Sequence, residues 1–183
     1  MRLEEKIKIV LNYAKSLEGT KYNKTVNKKD LDKTPYPFYI DSIPSNSYIK
    51  KHGINCTGMV NLMRQKLGLS VPGRGPHEGG TPAWYHFLKT TGGLEKFDDT
   101  KNYPEGTLFF RRFRGMKDKG HIAVCYKRNK KPLYCTIIHS YYTHDPEKDG
   151  TLGLSILGES HFWSLGKDKG YYEFACLPKY WLN

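Results

Sequence analysis

The chain has 183 residues, 38% hydrophobic and 14% aromatic, with a formal net charge of +12, which is long enough for one domain with a sizeable core in which Tyr and Phe share the packing. No apolar run approaches the roughly 20 residues that cross a bilayer. Glu4, Glu5, Lys6 and Lys8 break up any signal-peptide core, so the expectation is a soluble protein, cytoplasmic as synthesised, with delivery by lysis, another secretion route or a virus or phage particle left open.

Cysteine and charge usage narrow the classes further. Cys56, Cys125, Cys135 and Cys176 form no CxxC pair, which argues against a disulfide framework and a structural zinc site; reduced thiols and no cofactor are expected. Basic residues concentrate at Arg111, Arg112 and Arg114 and at Lys127, Arg128, Lys130 and Lys131. Such clusters attract polyanions such as nucleic acid, and solvated basic loops are the plainer alternative.

In chain order, residues 3–17 read as a helix with Leu3, Ile7, Val10, Leu11, Ala14 and Leu17 on one face and Gly19 as its stop. Residues 23–52 read as a loop insert, with Pro35, Pro37 and Pro44 among polar residues, and are a candidate lid. Asn55 is a favourable cap for a helix carrying Val60, Met63 and Leu67 at helical spacing, with Gly68 beyond it. The loop at Gly73 and Gly75 has Glu78 where a phosphate cradle needs glycine, so that motif fails. Residues 81–91 read as a short helix with Pro82 in its first turn. Strands are expected at 107–110, 121–126, 133–142, 152–157 and 171–177. Helices first and strands afterwards predict an α+β domain, helices packed on an antiparallel sheet.

Cys56 opens the second of these helices, where the positive end of the helix dipole favours thiolate. Strand alternation places His121 and Cys125 on one face of their strand and Cys135 and His139 on one face of the next. A turn centred on Lys130 sets His121 opposite His139 and Cys125 opposite Cys135; a slip of the pairing by two residues keeps the histidines on one face, and a slip by one separates them. One imidazole is then placed to take a thiol proton while the other orients it. Zinc would need a third ligand, and the two cysteines sit roughly 13 Å deeper along the strands.

With Cys56, His121 and His139 in this order, the chain resembles the NlpC/P60 family of papain-like cysteine peptidases. The resemblance rests on Gly19-Thr20-Lys21-Tyr22, Asn55-Cys56-Thr57-Gly58, Gly106-Thr107-Leu108-Phe109-Phe110, His121-Ile122-Ala123-Val124-Cys125-Tyr126 and Ile137-Ile138-His139-Ser140, and covers roughly residues 5 to 142. It implies a papain-like fold, Cys56 as nucleophile, His121 as general base and acid, His139 as orienter, and Tyr22 near the oxyanion region. It further implies amide hydrolysis through a thioester acyl-enzyme, with peptidoglycan stem peptides as default substrate.

The chain departs from the family where substrate is read. Asn55 and Thr57 stand where the motif has Asp and Ser, positions that in typical members recognise a free amine. Thr107 replaces Asp, and Asn23-Lys24-Thr25 replaces the usual Trp-Gly-Gly. Asn55, Thr57 and Tyr22 are therefore the expected substrate-binding positions of a rebuilt surface. A polyanion-binding module on a peptidase-like scaffold, and a lipid acyltransferase or thioesterase, are the alternatives.

Overall fold

A computed structural model describes residues 1–23, 39–73, 78–98, 100–112, 114, 120–128, 135–141, 150–156 and 172–183. Helix α1 (Leu3–Ser16) carries Glu4 and Glu5 in its first turn and Lys15 in its last, charges that oppose the helix dipole, and it buries Val10, Leu11 and Ala14. Helix α2 (Asn46–His52) lies in the segment read from sequence as loop. The Ser45 side chain caps it by accepting from the Tyr48 N–H at 3.2 Å. Only Ile49 of its seven residues is buried, so no apolar stripe announces it.

Helix α3 (Cys56–Gln65) has the predicted cap: Asn55 Oδ1 accepts from the Gly58 N–H at 2.7 Å. Nine of its ten residues are buried, polar ones included. Asn61 accepts from Trp84 Nε1 at 2.7 Å and donates to the Gly79 carbonyl at 2.9 Å. Arg64 donates to the carbonyls of Ser70 and Trp181, and burial lowers its pKa to about 10. These bonds satisfy polar groups whose desolvation would otherwise be costly. Helix α4 (Thr81–Thr90) starts with Pro82 in its first turn and buries Trp84 and Leu88; α5 (Pro178–Trp181) closes the chain.

The strands are β1 (Glu95–Lys96), β2 (Leu108–Arg111), β3 (His121–Lys127), β4 (Thr136–Ser140), β5 (Leu152–Ile156) and β6 (Phe174–Cys176). They form one antiparallel sheet in the order β1-β6-β2-β3-β4-β5. Leu108, Phe110, Ile122, Val124, Ile138 and Cys176 join the helices in the main core, around Trp84 and Trp181. Residues of the opposite parity, including Phe109, Ala123, Cys125, Ile137 and Ala175, pack with Tyr103 and Tyr172 in a second cluster. The sheet is thus apolar on both faces, which is why β3 reads as a near-continuous buried run. This is the expected α+β arrangement. Among the described residues no helix is long and apolar enough to cross a membrane.

The register corrects one sequence expectation. Val124 pairs with Ile138 and Cys125 with Ile137, while a bulge between Cys125 and Lys127 shifts the next pair to Lys127 and Thr136. Cys125 is therefore not opposite Cys135, nor His121 opposite His139; each pair is diagonal. The bulge accounts for a shift of one residue, and the net offset of the ladder beyond it from the turn-centred count is two. Parity survives, because the slip is by two.

Candidate active site

Two connections bring the distant pieces of the site together. The segment holding Tyr22 runs beside the entry to α3, with Tyr22 bridged in parallel to Ile54 and the Ile54 N–H donating to the Lys21 carbonyl at 3.0 Å. Gly53 permits this approach: its φ is +85°, and a Cβ there would meet the Lys21 carbonyl oxygen at 2.9 Å. The ladder between β3 and β4 runs only as far as Val124 and Ile138. Past that point the Ile122 N–H turns to the Cys56 sulfur, and Ser140 Oγ donates to the Ile54 carbonyl at 2.9 Å. The start of α3 therefore contacts both β3 and β4 beyond their last ladder pair.

His121, the residue before Ile122, is buried, as is His139. His121 Nε2 lies 3.0 Å from His139 Nδ1, the ring planes inclined at 74°. A diagonal cross-strand pair is within reach of ring side chains. The Nε2 of His121 is thus engaged by His139. The tautomer with the proton on Nε2 makes His121 the donor to His139 and its Nδ1 an acceptor. Tyr141 stacks on His139 with centroids 4.7 Å apart, and the Tyr172 ring sits 6.2 Å from His121. These two aromatic supports escaped the sequence reading, since ring stacking on a strand leaves no spacing signal.

The electrostatics run against a preformed ion pair. Burial pushes the Cys56 thiol above its ordinary value, outweighing the N–H groups of Ile122, Thr57 and Cys56 itself and the nearby Arg111 charge. Burial, His139 and Arg111 hold His121 well below the usual imidazole value, and burial takes His139 to about 3. The helix dipole expected to favour thiolate is thus overridden by desolvation. At neutral pH Cys56 is thus a thiol and both imidazoles are neutral.

Two of the three positions expected to bind substrate are hydrogen-bonded to each other. Thr57 Oγ1 donates to Asn55 Oδ1 at 3.1 Å, the same oxygen that caps α3, and both residues are buried. Asn55 is thereby a structural cap that fixes Cys56, whereas Tyr22 stays half-buried beside Ile54. Replacing Asn55 with Ala is expected to cost about 1 kcal/mol of stability, read as a lowered urea midpoint with unchanged slope. A midpoint equal to that of the unmodified chain would show that the cap is dispensable.

Gly120 sets the entry to β3. Its φ is +73°, and a Cβ would lie 2.5 Å from the Arg111 carbonyl oxygen and 2.6 Å from Thr81 Cγ2. Gly120→Ala is expected to destabilise the fold by about 2 kcal/mol, combining left-handed strain with backbone overlap. Chemical denaturation measures this directly, and a loss below a few tenths would refute the tight approach of β2.

Of the expected polyanion contacts, Lys130 and Lys131 lie outside the described residues, and Lys127 and Arg128 are exposed. Arg112 and Arg114 both pair with Glu173, at 3.4 and 2.6 Å. Arg111 instead stands directly across from His121 in the ladder between β2 and β3. Cys125 and Cys135 are buried deeper on the histidine face as free thiols hydrogen-bonded to each other. Among the described residues no group of three or more His, Cys, Asp or Glu gathers as a metal site.

No protein-family model matches the chain, and no curated protein matches it. Among solved structures it is similar to the crystal structure of a protein described as similar to lipoprotein, NLP/P60 family, from Staphylococcus aureus subsp. aureus Mu50, with a TM-score of 0.48 and 15% identity. That match covers 94% of this chain and 41% of the other, so the chain spans less than half the length of its neighbour.

Proposed function

We propose that this protein is a cysteine hydrolase of the NlpC/P60 type that cleaves an amide in a peptide or peptidoglycan stem-peptide substrate. The observation that carries the reading is the 3.0 Å contact between His121 Nε2 and His139 Nδ1, made one residue away from Ile122, whose N–H meets the sulfur of Cys56 at the first position of α3. The ordered motifs around Tyr22, Cys56, Phe109, His121 and His139 support it from the sequence side.

In this mechanism the Cys56 proton moves to His121 Nδ1 as the sulfur attacks the scissile carbonyl, forming an S–C bond and an oxyanion. Because the resting pair is neutral, proton transfer accompanies attack and does not precede it. Backbone N–H groups at the start of α3, with Tyr22 alongside, stabilise the oxyanion. His121 then returns the proton to the leaving amine as the C–N bond breaks. Water, deprotonated by His121, splits the thioester and regenerates the thiol. His139 keeps the Nε2 proton of His121 in place and the ring in plane throughout.

The test offers wall stem peptides, unrelated peptides and phospholipid separately, with acid quench and mass measurement of the Cys56 peptide. The expected result is an acyl adduct and free amine from an amide substrate, both absent in Cys56→Ala. Acylation from phospholipid alone, or no adduct and no cleavage with any peptide, would overturn the reading.

A further inference from the structure

The backbone leading into Cys56 is held one peptide plane at a time. The Ile54 N–H donates to the Lys21 carbonyl at 3.0 Å, and the Gly53 carbonyl of the same peptide accepts from the Tyr39 hydroxyl at 2.6 Å. The Ile54 carbonyl accepts from the Asn23 N–H at 3.1 Å and from Ser140 Oγ at 2.9 Å. Asn55 then caps α3. Gly53, at φ +85°, has no side chain to restrict its peptide, so the direction of its carbonyl depends on what that carbonyl bonds. Tyr39 supplies that bond from an unusual backbone. Among the described residues it alone, apart from glycines, has a left-handed φ, at +48°. A residue with a side chain keeps that conformation only where its surroundings over-determine it. Here they do: the ring is buried in the main core, and the Tyr39 carbonyl accepts from Gln65 Nε2 at the last position of α3. Tyr39 therefore ties the far end of α3 to the backbone that enters its near end.

We propose that Tyr39 is a positioning residue for Cys56: its hydroxyl fixes the Gly53–Ile54 peptide, and with it the turn into α3 that sets where the sulfur lies. The consequence for amide hydrolysis rests on the hydrolase reading, whereas the placement of the sulfur does not. Tyr39→Phe removes one oxygen and keeps the ring, which leaves the Gly53 carbonyl without this donor and its peptide free to rotate. In that variant kcat is expected to fall about tenfold with KM within about twofold, because a small displacement of the attacking atom costs rate and not affinity.

The second readout needs no substrate. Cys56 is buried at the start of α3. Loosening the turn exposes its sulfur, so alkylation of Cys56 by iodoacetamide is expected to speed up about tenfold in Tyr39→Phe. Cys125, Cys135 and Cys176 are buried free thiols outside α3, and they serve as internal references whose rates are expected to stay the same. Slower hydrolysis together with faster alkylation of this one thiol marks a misplaced sulfur. An unchanged kcat, or a Cys56 alkylation rate that does not move, would overturn the proposal. So would a rise shared by all four thiols, which is a loosening of the whole fold. Selective exposure of Cys56 in Tyr39→Phe, when the unmodified chain hydrolyses no amide, would keep the positioning and remove the hydrolase reading.

Discussion

Cys56→Ala is expected to reduce amide hydrolysis by at least about 10³-fold while leaving the fold intact, and His121→Ala by a comparable factor. The sulfur is the only protein atom in the scheme that forms a bond to the acyl carbon. In the proposed scheme His121 accepts its proton, and burial holds the thiol neutral. Combining both substitutions is expected to cost little more than either alone, because the two groups act in one step. His139 provides the sharper discrimination. His139→Ala leaves the His121 Nε2 proton without its acceptor at 3.0 Å, and a loss of about 10²-fold in kcat with little change in KM is expected. His139→Asn places an amide oxygen near the vacated Nδ1 and is expected to recover part of that loss. Rates of His139→Ala within threefold of the unmodified chain would remove His139 from the machinery, whatever becomes of Cys56.

What could be read from the sequence follows the range of the interactions involved. The cap on α3 was legible because Asn55 reaches an N–H only three residues away, and Cys56 followed from it. The shared face of His121 and His139 was legible because strand parity tolerates a slip of two. Their diagonal placement was not, since it depends on the bulge between Cys125 and Lys127. Helix α2 hid behind three prolines and a single buried side chain. Arg111 was visible only as one member of a basic cluster; its separation from Arg112 and Arg114 needs Glu173 of β6's approach, 59 residues away from Arg114. The sign of the thiol shift was the clearest reversal, because a helix dipole is written in local sequence and desolvation is the work of the whole fold.

That desolvation also makes the fold sensitive to acid. A histidine whose folded pKa lies below its unfolded value binds its proton more tightly in the unfolded chain. Its contribution to stability is complete above the unfolded value of 6.5, and it shrinks as the pH falls toward the folded value of about 3 for His139. At pH 4.5 His139 alone is expected to cost about 3 kcal/mol relative to neutral pH. His121 is shifted in the same direction by the same burial and adds to the loss. Glu173 titrates lower: burial raises its carboxyl, but Arg114 and Arg112 outweigh that and hold it below the ordinary value of 4.5. Among the described residues, the interval from 6.5 down to 4.5 therefore belongs mainly to the two imidazoles. Urea midpoints between pH 7.5 and 4.5 are expected to fall steeply in the unmodified chain and less steeply in His139→Asn, which has one fewer buried base to protonate. A flat profile, or the same slope in both proteins, would mean that the imidazoles are solvated and free to charge. In that case the resting site could hold a thiolate–imidazolium pair, and Cys56 would attack without waiting for substrate to trigger proton transfer.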